Sequence, residues 1–334
     1  MSIKSNATGT LLLLLLFATC AHADKTDRLI RKANRYFAPL PEAMPGSEND
    51  TPARIALGKK LYFDKRLSIN DTQACANCHP LTDGRAGMDN LPRSPGARGE
   101  LGDRNTPTVL NAGWQIAQFW DARAENLAEQ AREPILNPIE MGMPDEASMV
   151  KKLGALSEYA EAFANAFAND SPPLSYANLA EAIAAFERTL RSESRFDDFL
   201  GGEKTALTPQ EQSGLATFIK RNCIRCHDGH MLGGTLIEKL GVYKDFHNTV
   251  DQGRYRVTGD DEDRMMFKVA SLRNVTVTGP WFHDGSGETL EDSIRIMGRI
   301  QLDVELKEDE ILDIAAFLGA LTGKSLEKSR DESE

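Results

Sequence analysis

Apolar positions recur at three- and four-residue intervals in four stretches of this chain, residues 145–168, 175–191, 288–297 and 307–321. Leu179, Ile183, Phe186 and Leu190 show the spacing plainly, and such stripes turn one face of a helix toward a core. Two helix starts carry a capping residue before a proline, Thr51-Pro52 and Thr208-Pro209, and Glu211 completes a capping box with Thr208. Each of these helices runs toward a cysteine pair. The Gly-, Pro- and Arg-rich stretch 83–107 reads as loop. No alternating pattern marks out a set of strands, so the expected fold class is mainly α.

The N-terminus has a different character. A positive start ending in Lys4, an apolar run from Leu11 to Phe17, and Ala21-His22-Ala23 before Asp24 form a secretory signal peptide with its cleavage site. Residues 1–23 are therefore expected to be removed on export to the periplasm. Thr19 is a poor fit to the small residue a lipid anchor at Cys20 would want. Four of the five cysteines remain after cleavage, and none is spare for a disulfide. No later apolar run approaches the roughly 20 residues a bilayer span needs, so the mature chain is expected to have no membrane span. The net charge of −11 argues against a nucleic-acid partner, which needs a basic face. It suits a protein partner with a positive rim.

The chemistry sits in two copies of one signature, Cys75-Ala-Asn-Cys78-His79 and Cys223-Ile-Arg-Cys226-His227. The pattern C-x-x-C-H reads as covalent attachment of c-type haem. Two thiols three residues apart form thioethers to one porphyrin, and the adjacent His ligates its iron. A bare C-x-x-C also serves as a redox pair or half a zinc site. Here both copies end in His, and neither a third cysteine pair nor H-x-x-x-H follows.

Other landmarks repeat in the same order. Arg104-Asn105-Thr-Pro-Thr-Val is echoed by Arg273-Asn274-Val-Thr-Val, and Asp121 with Leu127 by Asp284 with Leu290. Met141-Gly142 is echoed by Met297-Gly298, and Ile183-Ala-Ala-Phe186 by Ile314-Ala-Ala-Phe317. Ordered echoes point to a duplication. The expected organisation is two haem domains in tandem, residues 24–192 and 193–325, followed by a frayed acidic tail at 326–334.

These residues resemble the bacterial di-haem cytochrome c peroxidases, with the MauG type as a close cousin. The likeness runs from Met44-Pro-Gly through Phe119-Trp120-Asp121 and Leu127-Ala-Glu-Gln130 to Pro280-Trp-Phe-His283 and Phe317-Leu-Gly-Ala-Leu-Thr-Gly323. The resemblance implies two cytochrome-c-like domains, an N-terminal peroxidatic haem, a C-terminal electron-transfer haem and a calcium ion between them. Position by position, it makes His79 and His227 the proximal iron ligands and Met297 the distal ligand of the second haem. A thioether opposite His raises the potential. Trp120 matches the tryptophan between the haems, and Gln130 and Glu140 match distal residues of the peroxidatic pocket. A carboxyl there can move a proton from the inner to the outer peroxide oxygen. Asn105, Thr278 and Pro280 match calcium positions, the last two through their carbonyls, and oxygen donors suit that ion.

The chain departs from the family at one place. Many members cap the resting peroxidatic iron with a histidine at the position of Ala97, and this chain has no histidine between His79 and His227. An open distal face is expected, with His230, His247 and His283 at the surface or behind the ligands. The leading expectation is reduction of hydrogen peroxide by electrons from a small cytochrome c or cupredoxin. A MauG-like oxidation of a partner protein and a non-catalytic di-haem electron carrier are the alternatives. MauG-type enzymes put tyrosine where Met297 stands, and no tyrosine follows Tyr255. Homodimers are common in the family.

Overall fold

The computed structural model describes residues 25–82 and 84–331. The expected signal peptide, Cys20, and the end of the acidic tail lie outside them. The molecule is mainly helical. Helices form where the apolar stripes fall, and side-chain caps at Asp145, Ser175 and Thr289 open three of them. Thr51 accepts from Arg54 N at 3.2 Å to open Pro52–Tyr62. Thr208 and Glu211 exchange side-chain bonds with each other's backbone N–H to open Pro209–Lys220. The 145–168 stripe divides into Glu146–Gly154 and Ser157–Ala166, and the remaining stripes become Tyr176–Glu187, Leu290–Leu302 and Glu308–Gly319. The only named strands among the described residues, Ile237–Lys239 and Met266–Lys268, pair antiparallel with Glu238 opposite Phe267.

The duplication is visible at atomic scale in two helix crossings. Pro52–Tyr62 packs on Tyr176–Glu187 with Gly58 at the contact, where a Cβ would lie 1.7 Å from the Ala182 carbonyl oxygen. Pro209–Lys220 packs on Glu308–Gly319 with Gly214 at the contact, where a Cβ would lie 1.8 Å from the Asp313 carbonyl oxygen. Ala182 and Asp313 each precede an Ile-Ala-Ala-Phe run. One helix pair is therefore built twice around a glycine that lets two backbones touch.

The register of the repeat differs from the sequence expectation at two places. Asn274 is matched by Asn111, not by Asn105. Both have φ 63°, and their N–H groups donate to the carbonyls of Leu321 and Leu190, each four residues beyond a repeated Phe. Positions 111 and 274, 121 and 284, and 127 and 290 are all 163 residues apart. In that register Met297 is matched by Pro134, inside the Leu127–Leu136 helix, and not by Met141. Met141 follows that helix and is packed into the core beside Leu67 and Met149.

Two segments cross the sequence boundaries. A helix over residues 25–33 and the segment after it pack on the second half, with Ile30, Ala33 and Phe37 in one core with Phe196, Phe218 and Phe317. The tail expected to fray is helical over Lys324–Asp331, with Leu326 buried and Glu327 3.1 Å from Arg195.

Candidate functional site

Each C-x-x-C-H motif forms one wall of a cavity. In the first half, Cys75–Cys78 is a single helical turn, fastened by Asn77 Oδ1 accepting from Ala74 N at 2.9 Å. His79 follows it into a cavity of about 460 Å3. Its Nδ1 lies 3.1 Å from the Gly87 carbonyl. A carbonyl only accepts, so Nδ1 carries the proton and the Nε2 lone pair is left for a metal. Burial pushes the His79 pKa down, which keeps the ring neutral for that use.

The second half repeats the device. Asn222 in the left-handed region turns the chain into Cys223–Arg225, and His227 Nδ1 lies 3.1 Å from the Leu232 carbonyl. The cavity here is about 390 Å3, and Met297 from the Leu290–Leu302 helix shares its wall with His227.

The four described cysteines are free, and burial raises their pKa values, to about 11 for Cys78 and about 12 for Cys223. Neutral, unpaired thiols beside large cavities suit thioether formation rather than a thiolate metal centre. No cluster of three or more His, Cys, Asp or Glu side chains suited to a metal ion occurs among the described residues. The residues fit haem c.

Among the described residues that line the first cavity, His79 is the only histidine, and Met141, the only methionine, is 3% exposed in the core. Pro134 occupies the helical position that Met297 fills in the other half. Glu140 and Gln130 line the same space. Asn137 Nδ2 donates to Glu140 Oε1 at 2.8 Å, and burial raises the Glu140 pKa against the lowering effect of Arg123. Ala97 N donates to the Glu140 carbonyl at 2.6 Å, so the loop at Ala97 is tied to the acid.

The other histidines divide. His247 is exposed, 3.9 Å from Asp284. His230 is half-buried and packs against Trp114, whereas His283 is 2% exposed and stacked on Phe267, so it is not a surface residue. None lines the first cavity.

The cavities meet at Trp120, which lines both. Its Nε1 donates to the Asn105 carbonyl at 2.9 Å, and its ring centroid lies 6.4 Å from that of His283. The repeat relates Trp120 to His283 and Asn105 to Lys268, each pair 163 apart. Their backbones interlock accordingly. Asn105 N donates to His283 O at 2.7 Å, and Lys268 N to Trp120 O at 2.8 Å. Arg104 holds the junction with bonds of 2.5 Å to both Asp121 and Asp251. Asn105, Thr278 and Pro280 are brought together on the second cavity's wall. The Asn105 amide donates to Leu91 O, leaving its Oδ1 as a donor for a cation.

Sequence reasoning missed two buried groups on these walls. Glu187 is 5% exposed with Oε2 unpartnered, and burial raises its pKa to about 8. Lys268 is 7% exposed. Glu187 ends an apolar stripe, a charge inside a core pattern that signals burial. Lys268 offers no comparable signal.

Residues 52–205 match the family model described as di-haem cytochrome c peroxidase. The chain is 41% identical over 319 residues to the cytochrome c551 peroxidase of Pseudomonas aeruginosa, covering 93% of this chain and 91% of the relative. It is 35% identical to the methylamine utilization protein MauG of Methylorubrum extorquens, covering 90% and 87%. Among solved structures, a MauG-like protein associated with microbial copper homeostasis superposes with a TM-score of 0.75 at 32% identity, covering 86% of this chain and 94% of that one.

Proposed function

The chain belongs to the di-haem cytochrome c peroxidase family and is an enzyme of that class, and we propose that it reduces hydrogen peroxide to two waters with two electrons and two protons. The electrons come one at a time from a small cytochrome c or cupredoxin in the periplasm, reached by way of the signal peptide. The observation that carries this reading is the unequal furnishing of two similar cavities. One places Met297 on a wall with His227, while the other places Pro134 at the equivalent position and Glu140 nearby.

In this reading Cys75, Cys78, Cys223 and Cys226 hold two haem c groups in two cytochrome-c-like domains. His79 and His227 would each offer Nε2 to an iron, and Met297 would offer its sulfur to the second. When bound, the haems supply the one-electron and peroxide-cleaving chemistry that no side chain has. Glu140 takes a proton from one peroxide oxygen and returns it to the other, a task its raised pKa suits. Asn137 fixes the carboxyl by its 2.8 Å bond, and Gln130 offers an amide to orient the substrate. Trp120 sets an aromatic ring between the cavities, fixed by its bond to Asn105. Asn105 Oδ1 and the carbonyls of Thr278 and Pro280 supply oxygen donors for a calcium ion. Met297, where MauG-type enzymes put tyrosine, favours peroxide reduction over oxidation of a partner protein.

Stopped-flow mixing of the oxidised protein with peroxide, followed by reduced cytochrome c, tests the reading. Stoichiometric oxidation of two cytochromes per peroxide is expected. No peroxide consumption would leave only an electron carrier.

A further inference from the structure

The wall of the second cavity holds a cation that none of these roles uses. Lys268, at the end of the Met266–Lys268 strand, is 7% exposed and lines that cavity. Its ammonium donates to the side-chain carbonyl of Gln115, a neutral group on the same wall. Asp121, the acid whose field acts on Lys268, is already held by Arg104 at 2.5 Å and Arg123 at 3.0 Å. A buried ammonium with an amide as its partner is costly unless an anion completes it. Burial pushes its pKa down to about 7, so the protein alone supplies too little negative charge there. The site is rigid, because Lys268 N is bonded to Trp120 O and Lys268 pairs with Ile237 in the sheet.

The internal repeat gives the position a meaning. Lys268 stands 163 residues after Asn105, and Thr278 stands 163 after Gln115. The Lys268–Gln115 pair, one residue from each half, is thus the repeat counterpart of Asn105 and Thr278, two proposed calcium donors.

We propose that Lys268, oriented by Gln115, receives a propionate carboxylate of the porphyrin in the second cavity, forming a buried ion pair that raises the potential of that haem. This rests on reading the second cavity as a haem site. A carboxylate left without its ammonium favours the oxidised iron, so losing the charge lowers the potential. Lys268 acts through the haem and is a positioning residue.

Spectroelectrochemical titration of the full chain, with a haemochrome count and resonance Raman spectra, tests the pair. In Lys268→Met the reduced-to-oxidised ratio of the second haem at fixed ambient potential is expected to fall about tenfold, equivalent to about 59 mV, with the first haem changed less than about threefold. The propionate bending band of the second haem is expected to shift. Lys268→Arg keeps the charge and is expected to hold the potential within about threefold while still moving the band, which tests the pair even if the methionine variant does not fold. Two haems per chain with an unmoved band in Lys268→Arg, or with unmoved band and potential in Lys268→Met, overturns the proposal. Fewer than two haems in the unmodified chain overturns instead the haem reading on which it rests.

Discussion

In the proposed function, Glu140 carries the proton chemistry of the first cavity. It lines the same cavity as His79, is held by Asn137, and has its pKa raised by burial. Acting as a base, it must be ionised before peroxide is cleaved. Peroxide turnover should therefore fall as pH drops through its raised pKa, with the acid limb above the ordinary glutamate value of about 4.3. Glu140→Gln is expected to cost about 10²- to 10⁴-fold in kcat/KM for peroxide and to abolish that limb, with the haem absorption spectrum unchanged. A variant that keeps the limb would assign it to another group. The carboxyl was legible through family resemblance, but its neighbour was misleading. Met141-Gly142 copies Met297-Gly298 in letters, yet the two methionines occupy different positions relative to their helices, and Pro134 is the true counterpart.

The helices were the most legible elements, because stripes and caps are local signals. Thr208 shows how local: removing its hydroxyl breaks a two-way cap, and Thr208→Ala should lower stability by about 1 kcal/mol in denaturant melts. The crossings were not legible, since nothing in the sequence says what faces Gly58 or Gly214. With a backbone oxygen 1.7–1.8 Å from each absent Cβ, Gly58→Ala and Gly214→Ala should each destabilise by about 1–3 kcal/mol or more. Gly319, with nothing within 4 Å of its absent Cβ, is the control. Gly319→Ala should change the melting temperature little, and equal losses at all three positions would deny the crossings their role. The Lys324–Asp331 helix was read as frayed because its sequence is mostly charged. It is anchored by the burial of Leu326 and the Arg195–Glu327 pair, and neither is written in its own pattern.

At the scale of the molecule, one fold used twice has been furnished differently. The two halves share a glycine-centred helix crossing, a C-x-x-C-H wall and a histidine fixed through Nδ1. They interlock through Asn105 with His283 and Lys268 with Trp120. Duplication was legible as ordered echoes, whereas its register, and the docking of residues 25–33 on the second half, depended on tertiary contacts between distant residues. In the proposed reading, the enzyme differs from a symmetric frame at one helical position, Met297 against Pro134. Electron paramagnetic resonance of the fully oxidised protein reads that difference directly. One high-spin ferric signal with a vacant or water-filled sixth position is expected beside one low-spin His/Met signal, and Met297→Ala should make the second high-spin as well. Two low-spin signals in the oxidised protein, each with two protein ligands, would contradict the open site.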